Sequence, residues 1–269
     1  MSRISCTFNE LRRNGKKALI PFITGGNPSL EMTKGLIESL AESGCDIIEI
    51  GIPYSDPVAD GPTLQRAAQR SLANGTNIQD LFDLVADIRG YLDIPIVFLA
   101  YYNCIYNYGI KNFAKSASCS GVDGIIVPDL PPEEASFFEE AAWNEGIDTI
   151  FLVAPTSTEK RLKLISEHSR GFIYCVSLTG VTGARQSLCS GFEEFMAKVR
   201  RFTDKPLCVG FGISTPEMAS HVGKIADGII VGSAIVDMLE SSLTSGEGEK
   251  ESLNKISKFV RSFREELDN

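Results

Sequence analysis

Two carboxylates eleven residues apart, Glu49 and Asp60, are the side chains in this chain best suited by type and position to move a proton. Glu49 lies inside the apolar run Ile48-Glu-Ile50, where an ionised carboxylate is costly unless it is paired or its pKa is raised. Asp60 closes the polar stretch that follows, a loop with glycines at 51 and 61 and prolines at 53 and 57. A glutamate buried at a strand end, with a second carboxylate on the next loop, is how a barrel enzyme assembles acid/base machinery. The alternative, that Glu49 pairs with an Arg or Lys and only holds the core together, stays open on residue type alone. Tyr174, near the end of another apolar run, is a third candidate, although a lone strand tyrosine more often packs a core.

The elements that must position these side chains recur along the chain. Gly44-Cys-Asp-Ile-Ile-Glu-Ile50, Gly121-Val-Asp-Gly-Ile-Ile-Val127 and Gly146-Ile-Asp-Thr-Ile-Phe-Leu152 repeat one pattern, and Ala226-Asp-Gly-Ile-Ile-Val231 is a weaker copy. Apolar runs without polar alternation are what strands look like in a parallel sheet covered on both faces. Runs at 18–24, 94–99, 172–176 and 207–209 bring the predicted strands to eight. Helical patterns separate them, among them 81–88, 132–143, 159–167 and 192–199. Asn27 followed by Pro28 reads as a helix cap and first turn, opening a helix that runs to Glu42. The spacing predicts an α/β fold, a single (β/α)8 barrel over residues 1–269. It carries an extra N-terminal helix at 5–14 and a C-terminal helix on the outer ring, marked by Leu253, Ile256, Phe259, Val260 and Phe263. A doubly wound open sheet is the competing architecture.

Three glycine-bearing turns follow the sixth, seventh and eighth predicted strands: Gly180-Val-Thr-Gly183, Gly210-Phe-Gly-Ile-Ser214 and Gly232-Ser-Ala234. Glycine lets backbone N–H groups approach an anion, and a helix starting at Ser233 aims its positive end at one. Any one turn is more simply a tight strand-to-helix connection; all three together point to a phosphate site. Other chemistries find little support. His168 and His221 are the only histidines, both in helical or helix-end segments, so no imidazole-rich metal site is expected. No predicted strand ends on a lysine placed for a Schiff base, since Lys205 precedes its strand. No G-x-G-x-x-G opens a helix after the first strand. What remains is carboxylate acid/base catalysis on a phosphorylated substrate that supplies its own electron sink.

Bulk properties bound the partners. With 269 residues, 43% hydrophobic and 23% charged, the chain can bury a large core. A net charge of −9 argues against nucleic acid and anionic membranes as partners. Seven scattered cysteines without a C-x-x-C pair suit a reducing cytosol and suggest neither disulfides nor zinc. No segment approaches the ~20 apolar residues that span a bilayer, and Lys16 and Lys17 interrupt any signal-like core. The expectation is a soluble cytoplasmic protein.

The stretch Ile48-Glu-Ile-Gly-Ile-Pro-Tyr-Ser-Asp-Pro-Val-Ala-Asp-Gly-Pro62 resembles the signature of the tryptophan synthase alpha subunit family. The likeness extends through Pro21-Phe-Ile-Thr-Gly-Gly26, Ala100-Tyr-Tyr-Asn103, Asp129-Leu-Pro131, Gly180-Val-Thr-Gly-Ala184, Gly210-Phe-Gly-Ile-Ser214 and Gly232-Ser-Ala-Ile-Val236. The resemblance implies retro-aldol cleavage of indole-3-glycerol phosphate to indole and glyceraldehyde 3-phosphate. It implies no cofactor in this chain, and a pyridoxal-phosphate (PLP) beta subunit that takes the indole through a tunnel in an α2β2 assembly. Carried over by position, Glu49 is the acid/base, Asp60 accepts the indole N–H, and Tyr174 sits beside Glu49. Phe22, Leu99, Tyr101 and Phe211 line the indole pocket; Gly183, Gly212, Gly232 and Ser233 hold phosphate; Thr182 belongs to a closing loop. Leu99 and Cys104 stand where many relatives have Met and Pro, which bears on pocket shape and tunnel coupling. Two rival functions stay in view: a catalytically weak barrel acting mainly as allosteric activator of the beta subunit, and a different phosphate-binding barrel such as an isomerase.

Overall fold

A computed structural model describes residues 1–176, 191–210 and 212–269. Strands β1 (Ala18–Thr24), β2 (Ile48–Gly51), β3 (Ile96–Leu99), β4 (Gly124–Ile126), β5 (Asp148–Ile150), β6 (Leu152–Val153), β7 (Ile173–Val176), β8 (Leu207–Gly210) and β9 (Gly228–Val231) all pair in parallel. Their order is β5-β4-β3-β2-β1-β9-β8-β7-β6. The two ends of that order, β5 and β6, are consecutive pieces of one segment parted only by Phe151. The predicted fifth strand thus pairs with β4 through its first half and with β7 through its second, and the sheet comes round on itself as the expected barrel.

Two apolar layers build it. Ile20, Phe22, Val97, Ile126, Ile150, Tyr174, Cys208 and Ile230 form the inner cluster, while alternate strand residues such as Leu19, Ile23, Ile48, Phe98 and Val209 face the helices. Helix α1 (Arg3–Arg13) sends Ile4, Phe8 and Leu11 into the inner cluster and plugs the barrel floor, with the Phe8 and Phe172 rings 5.8 Å apart. The repeated Asp residues have a floor role as well. Asp46, Asp123 and Asp227 accept an N–H at the start of a neighbouring strand, from Leu19, Ile96 and Leu207, at 2.8–2.9 Å. The recurrence of Asp at this N-terminal face serves stability, not catalysis.

The remaining described helices are α2 (Leu30–Glu42), α3 (Pro62–Ala73), α4 (Ile78–Ile88), α5 (Tyr102–Tyr108), α6 (Ile110–Ser120), α7 (Ser136–Asn144), α8 (Glu159–His168), α9 (Phe192–Arg200), α10 (Pro216–Gly223), α11 (Ser233–Thr244) and α12 (Glu249–Asp268). The predicted cap of α2 needs correction. Ser29, not Asn27, caps it, its hydroxyl accepting the Met32 N–H at 3.1 Å, while the buried Asn27 side chain accepts from Arg70 at 3.0 Å. Pro28 is therefore outside the helix, joined to Asn27 by a cis peptide. Helix α12 packs on α2 and α10 in the outer ring, with Ile256, Val260 and Phe263 buried, as its apolar stripe predicts.

Candidate active site

Glu49 and Asp60 meet at the C-terminal mouth of the barrel. Glu49 lies in register between Phe22 of β1 and Val97 of β3, so its side chain enters the inner layer. It is 0% exposed, and neither carboxyl oxygen has a hydrogen-bond partner among the described residues. The possibility of an Arg or Lys partner holding it in the core is thereby removed for those residues. Burial first, and the Asp60 charge second, push the Glu49 carboxyl up to about 8. Burial also raises Asp60, to about 6, against the opposing pull of a hydrogen bond from Tyr101. Asp60 ionises first, so its charge acts on Glu49. At pH 7 the pair holds one neutral acid and one anion, the split that assigns acid and base roles in carboxylate enzymes.

Tyr101 organises the Asp60 loop from the end of β3. Its hydroxyl accepts the Ala59 N–H at 3.0 Å and faces the Asp60 carboxylate, and its ring stacks on Tyr54 at 5.3 Å. Burial and the neighbouring Asp60 charge raise the Tyr101 phenol, keeping it a donor. Behind Asp60, the Gln65 side chain donates to the Asp60 carbonyl at 2.9 Å, tying the loop to the first turn of α3. Tyr174, on β7 across the barrel, is also held neutral, by burial first and then by the charges of Glu49 and Asp60. Its ring lies on Gly210, where an added Cβ would fall 2.2 Å from the phenolic oxygen.

Phe22 forms one wall of the mouth. A Cβ at Gly51 would lie 2.6 Å from the Phe22 ring edge, so glycine there makes room for the aromatic ring. Leu99 ends β3, half buried, beside the fully buried Tyr101. Gly232 follows β9 and packs near Phe22, and Ser233 begins α11. That helix has no side-chain cap and no acidic residue in its first turn, leaving its first N–H groups open to an anion. Gly212, at φ +84°, turns the chain after β8. Phe211, Thr182 and Gly183 lie outside the described residues. Of the remaining candidates, Glu49, Asp60, Tyr174, Phe22, Leu99 and Tyr101 converge on the mouth, and Gly232 and Ser233 adjoin Phe22. Among the described residues no three His, Cys, Asp or Glu side chains gather as a metal site. His168 pairs with Glu139 at 2.8 Å away from the mouth, and His221 is exposed in the last turn of α10.

Sequence reasoning missed Thr24 and Tyr54. Thr24 continues the inward alternation one layer above Phe22 and is buried with no hydroxyl partner among the described residues. That alternation was the available signal. Tyr54 lay within the long loop motif, but only the stack on Tyr101 gives it a purpose.

Comparison with known proteins bears on what this mouth belongs to. The family described as tryptophan synthase alpha chain matches residues 8–268. The chain belongs to that family. The alpha chain of Thermoanaerobacter sp. (strain X514) is 50% identical over 267 residues, covering 99% of this chain and all of its own. That of Geobacter sulfurreducens is 47% identical, with full coverage of both. Among solved structures, tryptophan synthase subunit alpha from Legionella pneumophila str. Paris superposes with a TM-score of 0.92 at 36% identity, covering 100% of this chain and 99% of that one. The aminoacrylate-bound tryptophan synthase of M. tuberculosis gives 0.87 at 34%, covering 99% of this chain and 100% of that one. The open-sheet architecture and the isomerase reading are both set aside by these matches.

Proposed function

We propose that Glu49 and Asp60 carry the reaction of the family, retro-aldol cleavage of indole-3-glycerol phosphate to indole and glyceraldehyde 3-phosphate. The observation that supports this most directly is a fully buried carboxyl with no partner for either oxygen among the described residues, raised to about 8 beside an ionised Asp60. Neutral Glu49 delivers its proton to indole C3, and the ring becomes an indolenium cation with its positive charge shared by N1 and C2. Asp60 accepts the N1–H hydrogen bond and offsets that charge. Glu49, now a carboxylate, takes the proton of the glycerol hydroxyl on the carbon bonded to C3. The carbon–carbon bond breaks, its electron pair returns to the indole ring, and the hydroxyl carbon becomes the aldehyde. Protons balance: one leaves Glu49 and one returns. Phe22, Leu99, Tyr101 and Phe211 flank the indole, and Tyr174 packs beside Glu49. The phosphate lies against the backbone at Gly183, Gly212, Gly232 and Ser233, with Thr182 in the covering loop.

Membership of this family implies a beta-subunit partner. An α2β2 assembly, with PLP in the beta subunit and indole passed between the two, is the arrangement we assign, in the cytoplasm. No described helix is long and apolar enough to cross a membrane. Val58, Tyr106 and Phe137, large apolar side chains 72%, 65% and 54% exposed, lie on segments that follow β2, β3 and β4, on the side of the mouth. An apolar rim around the exit of an apolar product supports a partner docked there. A coupled assay for glyceraldehyde 3-phosphate, run with the beta subunit, tests the reading: wild type releases product and Glu49→Gln loses it. Equal rates would sink the acid/base assignment. Strong stimulation of the beta subunit with no release by wild type would instead favour the activator-only role.

A further inference from the structure

Helix α3 begins two residues beyond Asp60, and helix α11 begins at the phosphate cradle. The two helices pack side by side, with Leu64, Ala67 and Val236 joining the apolar cluster that holds Phe22. Their outer seam is closed by a charged clamp. Both oxygens of Glu240 on α11 accept from Arg66, at 2.8 and 3.0 Å, and Oε1 also accepts from Arg70 at 2.9 Å. One turn earlier, Asp237 accepts the Thr63 hydroxyl at 2.7 Å. Arg70 reaches on to the buried Asn27 after β1, at 3.0 Å, and Ser71 donates to the Gly25 carbonyl at 2.7 Å. Glu240 is therefore the main charged tie between α11 and α3, beside the Asp237–Thr63 bond, and α3 holds Asp60 through the Gln65 bond to its carbonyl.

An isolated surface ion pair contributes little, but a bidentate arginine within a network has defined geometry. Glu240 is 23% exposed and Arg70 31%, so the Arg70 side of the clamp is partly shielded from solvent, while Arg66 is half exposed. We propose that Glu240 is a positioning residue: by clamping Arg66 and Arg70 onto α11, it makes the placement of Asp60 respond to a phosphate group at the start of that helix. The inference rests on the phosphate and Asp60 assignments above. An anion bound to the first N–H groups of α11 fixes the helix against β9. The clamp passes that fixed position to α3 and so to the loop at 53–61. By linkage, ordering of the loop tightens the phosphate in return. The substrate's phosphate thus helps to set the carboxylate that faces its indole end.

The test uses the full chain and glycerol 3-phosphate as the probe. In wild type the probe should slow hydrogen exchange both at 232–234 and at 53–61. In Glu240→Gln it should bind within about threefold of wild-type affinity and protect 232–234, yet leave 53–61 unprotected. With the beta subunit present, kcat for cleavage should fall about five- to tenfold with KM little changed, since misplacement near the reacting atoms costs rate. Arg66→Gln, at a half-exposed residue, should reproduce both effects without altering the melting temperature. Probe-induced protection of 53–61 that is equal in wild type and both variants overturns the proposal. Absence of any protection at 232–234 in wild type overturns it too, and separately identifies the phosphate assignment as the part that failed.

Discussion

Replacing Tyr101 with Phe tests the acid/base split at the one contact that opposes it. The productive form needs Asp60 ionised and Glu49 protonated, so kcat/KM should be bell-shaped, with macroscopic limbs near 6 for Asp60 and near 8 for Glu49. The Tyr101 hydroxyl faces the Asp60 carboxylate and lowers its pKa, so it stabilises the charged form. A hydrogen bond to a charged group is worth roughly 1.5–3 kcal/mol, and one pH unit corresponds to about 1.4 kcal/mol. Water reaching the half-buried Asp60 replaces part of that bond, so the acid limb should move up by about one unit, from about 6 towards neutrality. The bell then predicts a loss of roughly fivefold at pH 6, about twofold at pH 7 and almost none at pH 8. The substrate's own phosphate titrates near pH 6 as well, but it does so equally for both enzymes and drops out of the ratio. The assay is glyceraldehyde 3-phosphate release at subsaturating substrate from pH 5 to 9, with the beta subunit at constant excess. A ratio of wild type to Tyr101→Phe that is flat with pH would refute the reasoning, because a packing defect at this fully buried ring has no reason to follow Asp60's proton.

Other perturbations separate rate from stability. Glu49→Gln should abolish cleavage while raising stability, and the gain should grow with pH. The folded-state pKa of Glu49, about 8, lies above its unfolded value near 4.5, so wild type loses stability as pH rises between the two, on the order of a few kcal/mol by pH 8.5. Urea midpoints of the two proteins that run parallel from pH 5 to 8.5 would contradict the burial argument. Gly51→Ala puts a Cβ 2.6 Å from the Phe22 ring, so the ring must shift; KM for indole-3-glycerol phosphate should rise, and Phe22→Leu in the same chain should recover part of the loss. Phe8→Ala empties part of the barrel floor and should cost about 3–5 kcal/mol in urea unfolding, with kcat close to wild type in the cold, because the floor is remote from the mouth.

The strands were legible because a parallel barrel covers both faces, leaving apolar runs such as 18–23 and 124–127 without polar alternation. The recurring Asp was visible as a pattern but not as a cause. Its partner, an N–H at the start of the neighbouring strand, lies some 20 to 27 residues away and becomes a neighbour only once the barrel forms. Helix α3 was not read because its buried face is Ala67, Ala68 and Ser71, small side chains that scarcely mark a period. Asn27 was misread for a related reason: the rule that Asn caps and Pro follows is local, whereas Arg70 claims the Asn27 side chain from 43 residues on. In the site, the burial of Glu49 could be inferred from its flanks. The lack of any described partner could not, since a sequence shows no empty space. Tyr101, expected as a pocket wall, also accepts the Ala59 N–H and faces Asp60, a role that depends on how the loop folds back.

The two carboxyls differ less in chemistry than in what holds them. Glu49 stands on a strand with both neighbours in register, so its position is as rigid as the barrel, and burial, with the Asp60 charge second, raises it. That suits a group which must give a proton to one atom and take one from another without moving. Asp60 has no such support from a sheet. Its loop is held by the Ala59 N–H on Tyr101, its carbonyl by Gln65, and the helix beyond it by Arg66 and Arg70 on Glu240. A charge that must be brought to the indole N–H only when substrate is present gains from resting on a loop with such adjustable ties. The same reasoning explains why the lower pKa belongs to the loop: a partly solvated, hydrogen-bonded Asp stays ionised at pH 7, whereas a sealed Glu keeps its proton until the indole ring takes it.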